Sequence, residues 1–134
     1  MGFFNKFLKS ETTGKGDKNL GTNNVPWILL HDLETIDKIN SLSNSRLQVI
    51  FKHSTRCGIS RMVLKNFETN YTSQFGGVDF YLLDLLNYRD LSAKIASQFD
   101  VVHESPQFIA VKNETVVHHA SHSDIAIDSL AKYL

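Results

Sequence analysis

Cys57, the only cysteine of this sequence, is its most chemically distinctive residue. It lies within the segment Lys52–Arg61, between an apolar run and the start of an amphipathic helical pattern. A thiolate is a strong nucleophile toward a disulfide sulfur, and it is also a good leaving group. Because the chain has no second thiol with which to close an internal disulfide, any disulfide that Cys57 forms must be with another molecule. The predicted chemistry is attack by Cys57 on a disulfide that another molecule carries.

Three features of the surrounding segment favour the thiolate form of Cys57. The helix that follows presents free N–H groups and the positive end of its dipole to the sulfur. Ser60, three residues later, is expected to offer its hydroxyl to the sulfur. Positive charge nearby also favours an anion. The side chains expected to supply that charge are Lys52, His53, Arg56 and Arg61.

Other roles for Cys57 and its neighbours stay open at this point. Free cysteines are often core residues. Gly58 and the polar, cationic neighbours at a strand-to-helix turn favour a reactive thiol instead. His53 is either a proton partner of the thiol or a strand-end residue that fixes the loop. A protease-like pair of Cys57 with His53 or His103 is disfavoured, because so short a chain leaves no elements for a substrate cleft.

Composition and charge exclude several classes of protein. Fourteen Lys and Arg balance fourteen Asp and Glu, whereas a nucleic-acid-binding protein usually has a basic excess. No apolar run approaches the roughly 18 residues of a membrane span. One cysteine rules out a disulfide framework, so we expect a cytoplasmic protein. We predict no metal site, although His118 and His122 flank a turn, because the adjacent His118 and His119 point to opposite faces of a strand.

The chain divides into a leader and one domain. Residues 1–24 are rich in Gly, Thr, Asn and Lys after a short apolar start, which predicts a flexible leader. Residues 25–134 carry the regular patterns of a globular domain.

The order of predicted elements indicates a mixed α/β domain with the thioredoxin-like fold. We expect Asp32 to begin the first helix and Asn113–Glu114 to form a hairpin turn. From Leu47 the order is strand, helix, strand, helix, strand, strand, helix, which predicts a mixed central sheet flanked by helices on both faces. The expected ranges are strands 47–53, 78–86, 107–112 and 115–120, and helices over 33–42, 59–71, 91–99 and 125–133.

Pro106 lies just before the first strand of the predicted hairpin. In this order of elements it matches the cis-proline of thioredoxin-like folds. That placement would lay the backbone of Ser105 beside Cys57, where a peptide or thiol ligand can pair with it like an added strand.

These segments resemble the monothiol bacilliredoxins, the YtxJ-like group of thioredoxin-fold proteins that act with the thiol bacillithiol. The resemblance runs from Pro26 to the last helix, about four fifths of the chain. It is carried by the cysteine loop and by the HESPQ and SHSDI segments above all. The matching segments are Pro26–Trp27, Phe51–Cys57, Tyr81–Leu86, Tyr88–Asp90, His103–Gln107 and Ala120–Ile125.

The resemblance implies removal of bacillithiol from client proteins that carry it as a mixed disulfide. Bacillithiol is then a co-substrate and no cofactor stays bound. A low-molecular-weight thiol or a separate reductase must recycle Cys57, and we expect a monomer when the thiol is reduced. The expected thiol-binding residues are Glu104, Ser105, Pro106, Ser121, His122 and Asp124, although Asp124 is also the expected cap of the last helix.

Two alternatives belong to other classes. The sequence Cys57-Gly58-Ile59-Ser60 is close to the CGFS signature of monothiol glutaredoxins, which share an iron–sulfur cluster between subunits. Against this, glutaredoxins have paired glycines ahead of the aspartate that corresponds to Asp124, and this sequence has Ser121–His122 at that place. The other alternative is a binding module that docks a partner peptide beside Pro106 without catalysis.

Overall fold

The computed structural model describes residues 25–134, so the predicted leader over 1–24 lies outside the described residues. The helices and strands follow the predicted order, with an additional short strand at the start. The elements are β1 (Trp27–Leu29), α1 (Leu33–Leu42), β2 (Gln48–His53), α2 (Gly58–Thr69), β3 (Asp79–Asp84), α3 (Arg89–Phe99), β4 (Gln107–Lys112) and β5 (Thr115–Ser121), with 3₁₀ helices at Ser73–Phe75, His122–Asp124 and Ile127–Tyr133.

The five strands form one mixed sheet in the order β1-β3-β2-β4-β5. β1 and β2 run parallel to β3, whereas β4 is antiparallel to β2 and β5 is antiparallel to β4. β2 is central and all six of its residues are buried. The register pairs Lys52 of β2 with Gln107 of β4, so the end of β2 and the start of β4 lie at the same edge of the sheet.

Side chains that alternate along β2 separate two cores. Ile50 packs with residues of α1 and α3 on one face of the sheet, including Ile39 and Ile95. Phe51 packs with Phe67 of α2 and with the C-terminal segment on the other face. Helices therefore cover both faces, as the sequence predicts.

An aromatic cluster fixes α2 to the sheet. Phe67 is almost fully buried, and its ring centroid lies 5.2 Å from that of Phe51. Trp27 and Phe80 are each 6.0 Å away, and Phe108 is 5.8 Å away. These separations are those of favourable stacked and edge-to-face pairs. The helix that begins at Cys57 is thereby held at a defined position on the sheet.

The turns behave as their sequences indicate. The Oδ1 atom of Asp32 accepts the N–H of Thr35 at 2.7 Å, which confirms Asp32 as the N-cap of α1. Asn113 and Glu114 both have positive φ, at 52° and 62°, as a two-residue type I′ hairpin turn requires.

The closing segment differs from the prediction. Ile127–Tyr133 forms a 3₁₀ helix rather than an α-helix, and its N-cap is Ala126. Asp124 therefore does not cap it, contrary to our expectation. Ile127, Leu130 and Tyr133 are three residues apart, so three residues per turn align all of them directly above one another on the core face.

No helix within residues 25–134 is long and apolar enough to cross a membrane.

Candidate active site

Cys57 is positioned by the junction of β2 and α2. It is the N-cap residue of α2, with an extended backbone (φ −101°, ψ 122°), and its side chain is half-buried. Its carbonyl accepts the N–H of Arg61 at 3.0 Å, which closes the first helical turn. The sulfur is thus placed at the positive end of a 12-residue helix, as predicted.

Ser60 has a role different from the predicted one. Its fully buried hydroxyl oxygen accepts the backbone N–H of Ser54 at 3.0 Å and lies 3.0 Å from Nδ1 of His53. The sequence suggested a hydrogen bond from this hydroxyl to the sulfur of Cys57, but the hydroxyl instead fixes the loop. One physical reason is that the Ser54 N–H and the His53 ring at the end of β2 would otherwise be left without a partner.

His53 is buried beneath the cysteine loop, with Asp84 beside it in the sheet register. Burial lowers the pKa of His53, and the charge of Arg61 adds to this effect, whereas Asp84 and Glu68 oppose it. A lowered pKa keeps the ring neutral at pH 7, so His53 contributes hydrogen bonding there rather than fixed charge. This geometry fits the interpretation of His53 as a residue that fixes the loop.

Lys52 lies on the opposite face of β2 from His53. Its side chain is fully buried, and Nζ is 3.2 Å from Nδ1 of His103, which Ser92 Oγ also approaches at 3.1 Å. An ammonium can only donate, so Nδ1 must accept. Lys52 therefore anchors the loop that carries His103, instead of adding charge to the open cysteine loop as we had expected.

Burial determines how this pair titrates. It lowers the pKa of Lys52 to about 8, because a charged ammonium is poorly solvated there. It also lowers the pKa of His103, and the neighbouring charge of Lys52 lowers it further. Protonation of both groups would leave two donors facing each other, so the contact favours a neutral imidazole.

We expect Lys52 to make stability depend on pH. The pKa of Lys52 is lower in the folded protein (about 8) than its ordinary value of 10.5, so between these values the unfolded chain binds more protons. The free energy of unfolding should therefore rise between about pH 7 and pH 9.5, and Lys52→Met should remove most of this rise. Urea unfolding followed by the fluorescence of the single tryptophan, with reductant present, measures it.

The matched control is Lys38→Met, which alters an exposed lysine of α1 and should leave the rise intact. Burial raises the pKa of Tyr81 to about 12. Ionisation of this tyrosine in the unfolded chain lowers the free energy of unfolding only above its ordinary pKa of 10.0. The measurement therefore ends at about pH 9.5, below the range in which Tyr81 contributes. An unchanged rise in the Lys52→Met variant would show that the buried Lys52 ammonium is not the cause of the pH dependence.

The loop before β4 carries the predicted proline. The Ser105–Pro106 peptide bond is cis, as the sequence predicts. The buried Gln107 side chain holds the loop, donating from Nε2 to the carbonyl of Val102 at 3.0 Å and accepting the N–H of Glu104 at 3.4 Å. Ser105 is half-buried and the Glu104 side chain is exposed.

The turn after β5 lies against the same loop. Ser121 pairs with Gln107 across the sheet, and the N–H of His122 donates to the carbonyl of Pro106 at 2.9 Å. His122 has a positive φ of 55°, and both His122 and Asp124 are exposed. The 3₁₀ turn at His122–Asp124 also packs close to α2. The structure therefore brings the loops at 54–57, 104–106 and 121–124 to one edge of the sheet.

The two arginines of the cysteine loop are exposed. Arg61 reaches back over the loop, where Nη1 donates to the carbonyl of Thr55 at 3.1 Å. Arg56 directly precedes the sulfur-bearing residue.

The histidines of β5 have a packing role. The His118 ring lies 5.4 Å from Phe108 and 6.1 Å from Tyr133, and burial lowers its pKa. His119 on the other face is exposed. Within residues 25–134 there is no group of three or more His, Cys, Asp or Glu side chains that could hold a metal ion.

Comparison with known proteins identifies the family. The family model described as monothiol bacilliredoxin BrxC matches residues 28–130, which include every element of the sheet except Trp27. The chain belongs to this family. As a bacilliredoxin it has a thiol redox function, and Cys57 is its only cysteine.

Solved structures confirm the thioredoxin-like fold. One is a thioredoxin-fold protein assigned as an oxidoreductase, with 30% identity, a TM-score of 0.67 and coverage of 79% of this chain and 91% of that chain. The thioredoxin pre-protein of Schistosoma mansoni is 22% identical, with a TM-score of 0.61 and coverage of 80% and 96%. Thioredoxin from Trypanosoma brucei brucei is 18% identical, with a TM-score of 0.57 and coverage of 78% and 84%.

Sequence reasoning did not find Ser92 as part of the site of this bacilliredoxin. Ser92 lies in the predicted third helix, and its contact with His103 depends on how that helix packs beneath the loop. The sequence gives one weak indication of this contact, which is a serine within an otherwise apolar helical face. Gln107 was noticed only as part of the HESPQ segment, although its side chain holds the loop.

Proposed function

We propose that the protein removes bacillithiol, or a similar low-molecular-weight thiol, from client proteins that carry it as a mixed disulfide. The observation that carries the proposal is the position of Cys57, the only thiol, at the N-terminus of α2 and at the same sheet edge as Ser105–Pro106 and the turn at 121–124. Family membership supports the same conclusion.

The proposed reaction is a thiol–disulfide exchange in two stages. The Cys57 thiolate attacks the sulfur of the small thiol, a new S–S bond forms, and the S–S bond to the client breaks. The client leaves as a thiolate and takes a proton from water. Cys57 then carries the small thiol as a mixed disulfide. The client cysteine is reduced and Cys57 is oxidised, so no outside oxidant or reductant is needed.

The second stage needs another molecule. Ser60 stands where a CxxC pair would have its second cysteine, so the chain contains no thiol that could resolve the adduct. We propose that free low-molecular-weight thiol or a separate reductase regenerates Cys57. Bacillithiol is thus a co-substrate, with no cofactor bound. We further propose a cytoplasmic site of action on S-thiolated clients and a monomeric reduced protein.

The Ser60→Cys variant should convert this single-thiol reaction into a two-thiol reaction. Cys57 is the N-cap and residue 60 follows in the first turn of α2, which is the spacing of a CxxC pair. The new thiol should attack the adduct on Cys57, release the small thiol and leave an internal disulfide. Intact mass should show the protein without the adduct and lighter by its two thiol hydrogens.

Ser60→Ala is the matched control, because it removes the same hydroxyl without adding a thiol. It should keep the adduct and lose about 1–3 kcal/mol of stability, since the Ser54 N–H loses its buried partner. An adduct as persistent in Ser60→Cys as in the parent would show that the two positions cannot react.

Transfer of the small thiol, read by intact mass, tests the proposed function. Reduced protein is mixed with a small client that carries bacillithiol as a mixed disulfide, and separately with a glutathionylated copy. We expect the bacillithiol mass to move to the parent protein and not to Cys57→Ser, and the two clients to rank the thiols. If neither mass moves while Cys57 is reduced and the protein is folded, the proposal is wrong. A visible absorbance band on anaerobic reconstitution would then favour cluster carriage.

A further inference from the structure

The Arg61 guanidinium is held across the cysteine loop. Nη1 donates to the carbonyl of Thr55, two residues before Cys57, at 3.1 Å. Nη2 lies 3.8 Å from the position that a Cβ on Gly58, the residue after Cys57, would occupy. The charge also reaches His53, whose pKa it lowers. The hydrogen bond to Thr55 and the approach to Gly58 therefore place this guanidinium beside the loop that presents the sulfur.

Most of the hydrogen-bonding capacity of Arg61 is not used within the described domain. A guanidinium has five N–H donors, and the hydrogen bond to Thr55 uses one of them. Arg46 shows the contrast, because its guanidinium forms an ion pair with Asp79 at 2.9 Å. Within residues 25–134, Arg61 has no carboxylate partner at salt-bridge distance. Its side chain is nonetheless tied to the Thr55 carbonyl at the first turn of α2, so less side-chain entropy is lost when an anion binds than for a free arginine.

We propose that Arg61 is a specificity-determining residue that binds a carboxylate of the small thiol and so directs Cys57 to that half of the mixed disulfide. This inference rests on the proposed function and names its substrate class, a thiol that bears carboxylates. The planar fork of arginine suits a carboxylate better than a point charge does.

The consequence is a choice between two sulfurs. If Cys57 attacks the sulfur of the small thiol, the client leaves as a thiolate and Cys57 keeps the small thiol. If it attacks the client sulfur, the small thiol leaves and Cys57 becomes linked to the client. A carboxylate held by Arg61 places the small-thiol sulfur nearer to Cys57, because that carboxylate and sulfur belong to the same small molecule. Arg61 should therefore favour the first product.

The test uses one client peptide in two forms, one linked to glutathione, which bears carboxylates, and one linked to 2-mercaptoethanol, which bears none. We expect Arg61→Gln to lower kcat/KM about tenfold for the glutathione form, the loss expected for one charge-assisted hydrogen bond, and to change the neutral form less than about twofold. Intact mass should also show a larger share of the Cys57–client product from the glutathione form. Arg61→Lys should recover part of the loss.

Arg56→Gln is the matched comparison, because it removes an exposed guanidinium next to Cys57 that lacks the contact with Thr55. It should affect both peptide forms alike. An equal loss of kcat/KM on both peptide forms for Arg61→Gln would overturn the inference, and so would a selective loss seen only for Arg56→Gln. In either case, transfer by the parent would still support the proposed function. If the parent transfers no small thiol from either peptide, the proposed function and this inference both fail.

Discussion

Cys57→Ser should abolish transfer of the small thiol, with a loss of at least about a thousandfold in rate. The serine hydroxyl is not ionised near pH 7 and forms no bond with sulfur that could replace the disulfide. Neighbouring charge and the helix N-terminus cannot compensate, because they act only on a nucleophile that is present. The measurement is single-turnover transfer from a bacillithiol-linked or glutathionylated client, read by intact mass.

The serine variant also separates catalysis from docking. It has nearly the same shape as the parent, and the Cys57 side chain makes no capping hydrogen bond in α2. Its free energy of unfolding should thus stay within about 0.5 kcal/mol of the parent value. Transfer at the parental rate by a folded Cys57→Ser protein would exclude the thiol mechanism. A serine variant that transfers nothing and yet supports the cellular phenotype as well as the parent would favour a binding module that uses the surface beside Pro106.

Phe67→Ala should lower the free energy of unfolding by about 3–5 kcal/mol. Phe67 is 2% exposed, and its ring contacts one aromatic ring from each of the four strands β1 to β4. Truncation removes buried apolar surface and leaves a cavity that rigid aromatic neighbours cannot fill. Urea unfolding monitored by Trp27 fluorescence measures the change directly, because this tryptophan belongs to the same cluster.

Met62→Ala is the control for this substitution. Met62 lies on the same helix but is 65% exposed, so its truncation should cost less than about 0.5 kcal/mol. The pair compares a buried and an exposed apolar side chain on one element. Similar losses for the two variants would show that the aromatic cluster does not anchor α2.

The sequence by itself determined most of the elements and identified Cys57, the only thiol, as the candidate nucleophile. Strand and helix periodicity depend on neighbours along the chain, so β2, α2 and α3 could be predicted together with their order. Asp32 and the Asn113–Glu114 turn act within a few residues, and both predictions are confirmed. The absence of a resolving thiol follows from the count of cysteines alone.

Only the tertiary structure decided how polar side chains near the site are paired. The hydroxyl of Ser60 contacts His53 rather than the sulfur, and Lys52 is buried against His103 rather than beside the cysteine loop. The last helix has three residues per turn, which leaves Asp124 outside its cap. Each of these outcomes depends on which groups are buried and on which partners other elements bring to them. A buried polar group must find a hydrogen bond where the fold supplies one, and sequence spacing does not specify that place.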